Sequence, residues 1–269
     1  MATFSRKTPG SRTLNRGLSI LRAFRQGGST LSNTDLAERS GLPKPTISRL
    51  THSLVEAGFL LFDFKRKAYR LSPIYLNLAL IYNESSEIVK IATPIMESLA
   101  ETANVNVGLA SADLSDIVYL ASIRGEKGGF FRQVTPGSRR PVETLSLGLS
   151  YLNAVDEATR TDLIKTIAAR QAGHVEFILD RIAKSRAQLR THGYCVANWH
   201  SGLIAISRAV SGLDDSIYSI NISFSPQAER DADHQTREYG QLLTRLADDI
   251  ARSWQETLLD HESGLNDPT

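Results

Sequence analysis

Residues 31–60 read LSNTDLAERSGLPKPTISRLTHSLVEAGFL. Ser32 is a helix N-cap residue with Asp35 three positions on, the spacing of a capping box, and Leu31 stands where it can staple onto Leu36. Asp is a weaker box partner than Glu or Gln, yet its charge suits a helix N-terminus. The helix so started is short, because Ser40-Gly41 supplies a left-handed cap. After Leu42-Pro43-Lys44 a further helix begins near Pro45, where a missing amide is harmless since first-turn amides have no intrahelical acceptor. Ile47, Leu50, Leu54 and Ala57 form its apolar stripe, and Gly58 stops it. Two helices joined by so tight a turn pack steeply, with Leu36, Ala37, Leu42, Ile47 and Leu50 inward. That leaves Lys44, Pro45, Thr46, Ser48, Arg49 and His52 on the N-terminal and outer face of the second helix. In a helix-turn-helix this face enters the major groove of DNA, where Arg and Lys read guanine or hold phosphate and hydroxyls contact either. The competing reading is a surface αα-hairpin that touches no DNA.

The flanking residues favour the first reading. Upstream, Leu14, Leu18, Leu21 and Phe24 recur at helical spacing until Gly27-Gly28. Residues 1–11 are rich in Ser, Thr, Pro and Gly and read as a disordered basic arm, with Arg6, Lys7 and Arg12 as further candidates for phosphate contact. Downstream, FLLFDFKRKAYRLS (residues 59–72) reads as a β-hairpin with Lys65, Arg66 and Lys67 at its tip. Those three cations suit the DNA backbone or minor groove; they equally suit a charged turn protecting an edge strand. Helix, short helix, tight turn, helix and basic hairpin is the order of a winged helix-turn-helix.

Pro73 opens another helix, from Ile74 to about Val89, whose Ile74, Leu76, Leu78, Leu80 and Ile81 cover more than one face. Such a helix is normally buried against a partner, so a homodimer or tetramer is expected. Ile91–Ala103 reads as an amphipathic helix. VNVGLASA, IVYLASIR and GGFFRQVT then read as an antiparallel meander with turns at 113–116 and 125–129. Residues 144–154, 156–170 and 177–192 read as helices, YCVANW, GLIAISRAV and SIYSINISF as strands, and about Gln235 to Leu258 as a closing helix. This order gives an α+β domain with one face of its sheet covered.

The charge divides along the same line. The 269 residues carry a formal net charge of +2, but residues 1–75 hold thirteen Lys/Arg against four Asp/Glu, a net of +9. The rest hold eighteen against twenty-five, a net of −7. A basic unit joined to an acidic one suggests a polyanion-binding module attached to something that does not bind polyanions. With 41% hydrophobic and 22% charged residues the composition is that of a globular protein, and no apolar run approaches the length of a membrane span. The first residues lack the apolar stretch of a secretory signal. A single cysteine, Cys195, excludes an intrachain disulfide and a Cys-rich zinc site, so a cytoplasmic protein is expected.

Residues 13–71 resemble the DNA-binding domain of the IclR family of bacterial transcriptional regulators. The resemblance rests on Arg16-Gly17-Leu18-Ser19-Ile20-Leu21, Leu31-Ser32, Leu36-Ala37, Ser40-Gly41-Leu42-Pro43-Lys44, Thr46, Arg49-Leu50, Leu54, Gly58-Phe59 and Tyr69-Arg70-Leu71. It continues more loosely through Pro94, residues 99–102, Pro141, Gly148, Gly193-Tyr194, Gly202-Leu203 and Ile206, to about residue 256. It implies a winged helix, a linker helix used in dimerisation, and a C-terminal GAF-like effector domain for small organic acids or aromatics, with repression the commoner role. It also implies an effector site at Ser146, Leu147, Asn198 (or Ala197), Ala205, Asn221 and Ser223. Here the chain departs from the family. Glu143 and Leu149 replace a His and a Lys of the run His-Ala-Thr-Ala-x-Gly-Lys, Ala205 replaces a cysteine, and Ala197 or Asn198 an acid. A more apolar wall with neutral orienting groups suits an aromatic or otherwise bulky organic acid over a glyoxylate-sized one. Glu143 would repel a carboxylate if it faced inward, and is read here as a solvated acid.

The expected division is therefore a disordered arm (1–11), a winged helix-turn-helix (12–73), a linker helix (74–90), an effector domain (91–258) and a tail (259–269). Two readings of its action remain: a regulator whose operator affinity responds to a small effector, and a constitutive DNA-binding protein whose second domain only oligomerises. No catalytic, metal or cofactor site is expected. The six histidines lack ligand spacing, Gly125–Gly129 lacks a phosphate-loop ending, and Gly148-Leu149-Ser150 lacks the second glycine of a nucleophile elbow. Cys195 sits in an apolar strand and reads as core.

Overall fold

The computed structural model describes residues 10–125, 134–170, 175–200, 202–212, 216–226 and 231–264. Two compact units divide between Ser85 and Ser86. In the first, α1 (Arg12–Ala23) leads through a 3-10 turn to α2 (Asn33–Ser40) and α3 (Lys44–Glu56). The hairpin β1 (Leu60–Asp63) and β2 (Ala68–Leu71) follows, and then α4 (Ile74–Ser85). α1 starts two residues before Leu14 because Ser11 caps it, accepting from the Leu14 amide at 3.4 Å.

Both halves of the capping box are made. The Asp35 amide donates to Ser32 Oγ at 3.2 Å and the Ser32 amide to Asp35 Oδ2 at 2.8 Å. Gly41 closes α2 in the left-handed region, and the Arg39 guanidinium reaches back to the carbonyls of Ala23 and Gly27. Arg39 thus ties α2 to the end of α1. Ile20, Leu31, Leu36, Ile47 and Leu60 are almost wholly buried in the core these elements share, at ~1.5–3 kcal/mol of hydrophobic stabilisation each. Leu31 and Tyr69 exchange both backbone hydrogen bonds, so that Leu31 adds a one-residue bridge along the free side of β2.

The helix expected over 74–89 is broken. Ser86 has an extended conformation as the N-cap of α5 (Glu87–Ala103), so residues 87–90 belong to the second unit, where Ile88 enters the core. Ser86 takes the N-cap position by its extended backbone, without a capping hydrogen bond from its side chain, and Glu87 suits the new N-terminus.

The second unit is built on six antiparallel strands: β3 (Asn106–Asp113), β4 (Asp116–Arg124), β5 (Arg139–Pro141), β6 (Cys195–His200), β7 (Leu203–Ser211) and β8 (Ile217–Phe224). Their order is β5-β4-β3-β8-β7-β6. Helices α6 (Ser146–Ala154), α7 (Glu157–Arg170), α8 (Val175–His192) and α9 (Ala232–Gly264) complete it. α9 runs past the Leu258 end expected from sequence. Both faces of the sheet are covered, which corrects the expectation of one. Leu109, Ile206, Ile220 and Ile222 pack against α5 and α9, while Ala110, Ile117, Tyr119 and Cys195 pack with α6, α7 and α8. The expected strand 128–135 lies largely outside the described residues, and β5, which pairs with β4, was not anticipated. α6 presses so close to the segment before it that a Cβ on Gly148 would stand 1.7 Å from the Val142 carbonyl oxygen. Among the described residues no helix is long and apolar enough to cross a membrane.

Candidate DNA interface and effector site

α3 turns Ile47 and Thr51 fully inward, and the Thr51 hydroxyl donates to the Ile47 carbonyl at 2.8 Å. Lys44, Pro45, Ser48, Arg49 and His52 are exposed along the opposite face, with Thr46 half-buried beside them. These positions follow a helical period, so all but Thr46 stand clear of the core on one side. The first turn of α3 holds no acid, and Lys44 is exposed there, while Pro45 has no amide and the Thr46 and Ile47 amides donate to the Pro43 carbonyl. An anion at this end therefore meets the Lys44 side chain rather than a set of free amides. His52 lies 3.4 Å from Glu56, one turn on, which sets a carboxylate beside the last of the proposed contacts.

The hairpin brings a second set of cations. Its register runs from Leu60 opposite Leu71 to Asp63 opposite Ala68, leaving residues 64–67 as the tip. Asp63 Oδ1 accepts from the amides of Lys65 and Arg66, both at 3.0 Å. The Arg66 amide above all, with desolvation opposing it and the Lys65 amide adding to it, holds this carboxyl below the usual range. Arg66 also reaches to 3.7 Å of Asp63 Oδ2. Lys65, Arg66, Lys67 and Arg70 are exposed. Phe64, which the sequence analysis does not single out, lies one residue beyond the last paired position of β1 and so belongs to the tip. It is 83% exposed.

Of the residues expected to form the effector site, Ser146, Leu147, Ala205, Asn221 and Ser223 fall at the sheet face beneath α6, whereas Asn198 is the register partner of Ile204, and it is Ala197 that pairs with Ala205 in the row of Ser223. Ser146 and Leu147 begin α6 and are buried. Ala205 and Ser223 are register partners, and Asn221 is paired with Ser207 on one side and Gly108 on the other. Cys195 is opposite Ser207 in turn, and its Sγ lies 3.1 Å from Ser207 Oγ and 3.4 Å from the Ser146 carbonyl oxygen. The row Cys195–Ser207–Asn221–Gly108 therefore passes under the first turn of α6. Ser150 of α6 donates to Ser219 of β8 at 3.1 Å further along. Asn198 lies in β6, but its side chain falls outside the described residues. Ser207, Gly108 and Tyr119 were not singled out from sequence, although a glycine within a strand is a mark of close approach.

The polar groups of this face are mostly neutral. Burial pushes the Cys195 thiol up to about 11, with the Ser207 hydrogen bond pulling weakly the other way. It pushes the Tyr119 phenol up to about 12 against the opposing pull of Arg140. A thiol so raised is no nucleophile near neutrality. Asn221 is 6% exposed, and its Oδ1 has no hydrogen-bond partner among the described residues. Glu143, read from sequence as a solvated acid, is in fact buried at 9% exposure, with Oε2 likewise unpartnered among them. The close approach of α6 to residue 142 draws its neighbour Glu143 in. No group of His, Cys, Asp and Glu suited to a metal occurs among the described residues. A cleft of about 460 Å³ opens elsewhere, past the C-terminal end of α6, between Asn153, Val155, Asp156, Arg160, Arg186 and Leu189. Its groups serve local structure: Arg160 donates to the carbonyls of Leu152 and Val155, Asp156 accepts from Thr159, and Arg186 Nε donates to Asn153.

Comparison with known proteins agrees with both units. Residues 13–63 match the IclR helix-turn-helix domain and residues 81–252 the bacterial transcriptional regulator IclR C-terminal domain. The HTH-type transcriptional regulator TsaQ1/TsaQ2 of Comamonas testosteroni is 28% identical over 202 residues, covering 75% of this chain and 70% of that one. The crystal structure of an IclR family transcriptional regulator from Brucella abortus superposes with a TM-score of 0.82 at 26% identity, covering 94% of this chain and 96% of that one. An IclR homolog from Microbacterium hydrocarbonoxydans, crystallised with 4-hydroxybenzoate, shares the fold with a TM-score of 0.66 at 19% identity, covering 91% and 99%.

Proposed function

The chain belongs to the IclR family of bacterial transcriptional regulators, and on that premise we propose that it is a cytoplasmic, effector-responsive repressor that binds a palindromic operator as a homodimer. It is a DNA-binding regulator and not an enzyme. The observation that carries the proposed interface is the exposed face of α3 set in one unit with a cationic hairpin. Thr46, Ser48 and Arg49 read base edges in the major groove. Lys44, at the helix N-terminus with Pro45, and His52 further along border the phosphates. Lys65, Arg66 and Lys67 hold the backbone beside the minor groove. α4 supplies the dimer contact, since it has no buried residue and exposes Leu76, Leu80 and Ile81.

The effector is an aromatic or bulky organic acid that carries a hydrogen-bond donor. The buried Asn221 Oδ1 supports this, because an unpartnered acceptor in a site of Leu147, Ala205 and Ser223 asks for a donor such as a hydroxyl. Fold neighbours include one crystallised with 4-hydroxybenzoate, which has such a hydroxyl.

A thermal-shift series on the full chain tests this reading. 4-Hydroxybenzoate or larger hydroxylated aromatics raise the melting point by mass action, and Asn221→Leu abolishes the rise. Stabilisation by glyoxylate or pyruvate only would refute the effector class. No stabilisation by any compound would favour a constitutive regulator. For the DNA interface, affinity for a selected duplex falls by about 0.9 log units per log unit of salt for each phosphate neutralised. A flat titration would refute it.

A further inference from the structure

The tip of the hairpin places an aromatic ring among cations. Phe64 is 83% exposed, more than any other large apolar side chain among the described residues. Its immediate successors are Lys65, Arg66 and Lys67, all exposed, with Arg70 on the adjoining strand. The core of this unit does not need the ring. Leu60, Phe62 and Tyr69 already face inward from the hairpin, and Phe62 packs against Tyr69 with centroids 5.1 Å apart.

The ring is also held in place. It meets Phe62 edge-on, at 5.1 Å between centroids and 88° between planes. Asp63 Oδ1 fixes the tip by accepting from two successive amides, and Lys67 completes the turn at a φ of 49°. A pre-shaped tip gives up little freedom when it binds. An exposed apolar group in a tip that carries Lys65, Arg66 and Lys67 against the single carboxylate of Asp63, which lies 3.7 Å from Arg66, fits a partner that offers a polyanionic rim around an apolar floor. The minor groove of duplex DNA has that form: phosphates on both walls, sugars and base faces between, and a width of about 6 Å that admits a ring edge but no helix.

We propose that Phe64 is an apolar wedge that enters the minor groove beside the α3 contact and partly unstacks a flexible pyrimidine–purine step, so that the wing reads deformability as well as charge. This rests on the DNA-binding reading above. Lys65 and Arg66 anchor the tip on the phosphates, and the ring takes the step between them.

The test uses the full-length chain and a duplex that the wild type enriches from a random pool, with 2-aminopurine placed in turn at pyrimidine–purine steps flanking the protected major groove. Wild-type protein raises the fluorescence at one step. Phe64→Ala loses that rise and at least tenfold in affinity while keeping the wild-type salt slope and melting point. Phe64→Leu retains most of both. Lys65→Ala and Arg66→Ala lower the salt slope yet keep the fluorescence rise. Phe64→Ala binding within twofold of wild type with the rise intact overturns the wedge. So does a reduced salt slope in Phe64→Ala, which makes the ring a mere support for the cations. A change in sedimentation at unchanged DNA affinity also overturns it, since the ring then serves self-association. If the wild type enriches no duplex, the DNA-binding reading falls and takes the wedge with it.

Discussion

The side-chain oxygen of Asn221 lies directly over Gly108, so close that a Cβ on Gly108 would stand 2.4 Å from it. The same Cβ would stand 3.0 Å from Tyr119 Cε1. Neither neighbour is the end of a long flexible side chain, and both are buried. The absent Cβ is what allows an amide to lie flat on the sheet beneath α6 with an acceptor unused.

Gly108→Ala therefore destabilises the second unit by about 1–3 kcal/mol, the usual range for an overpacked site. Asn221→Ala in the same chain recovers part of that loss, because one of the two clashes goes with it. Urea denaturation of the two single variants and the double variant gives the coupling. Strict additivity would show that Asn221 does not rest where the structure places it.

Ser32→Ala removes one acceptor of the capping box and costs about 0.5–2 kcal/mol of stability in the first unit. The box also makes this unit sensitive to acid. The backbone and side-chain hydrogen bonds from Ser32 hold the Asp35 carboxyl below its ordinary value of 3.8, against a small desolvation effect. A carboxyl depressed in the folded state stabilises fully above its unfolded value and loses that contribution as pH falls through the folded one. Wild-type stability thus declines below about pH 3.8, and Asp35→Asn shows less of that decline. Equal slopes in the two proteins would contradict it.

Readout and anchoring separate by mutation. Arg49→Ala costs about 1–3 kcal/mol at one base pair and relaxes the preference there. Lys44→Ala weakens all duplexes alike and lowers the salt slope by about one. Binding-site selection on both variants distinguishes them, and unchanged specificity in Arg49→Ala would refute the role assigned to that side chain.

The fourth expectation concerns assembly. With Leu76 77% exposed and no buried residue along α4, a glutamate at Leu76 or Ile81 disrupts the proposed dimer contact. Sedimentation at micromolar concentration shows a species of twice the chain mass for the wild type and a shift toward the single chain for Leu76→Glu. A wild type that sediments as a single chain contradicts the proposal.

Local chemistry was the legible part of the sequence. Ser32, Asp35 and Gly41 act within a few residues of themselves, so the capping box and the left-handed cap could be read from spacing. The hairpin tip could be read likewise. What escaped depended on distant packing. Whether one or both faces of the sheet are covered turns on residues such as Ala110, Cys195 and Ser219, small enough to suit either a solvated or a packed face. Ser86 looks like a helix residue, because the break there goes with the burial of Ile88 in the second unit and not with a capping hydrogen bond of its own. Glu143 reads as surface because nothing local signals the approach of α6 to its neighbour. The row under α6 was partly legible through the family resemblance, which pointed to Asn221 and Ser223, but Gly108 and Ser207 join it only through strand register.

Cys195, shut beneath α6 with its thiol raised to about 11, gives the protein a built-in clock. In the closed fold the sulfur is both screened and protonated, so an alkylating reagent reaches it only after the second unit opens locally. The rate of labelling under mild conditions then counts those openings, with no engineered probe and no second thiol to confuse the signal. On the proposed function, an effector seated against the same row would slow that clock, which turns occupancy into a chemical half-life.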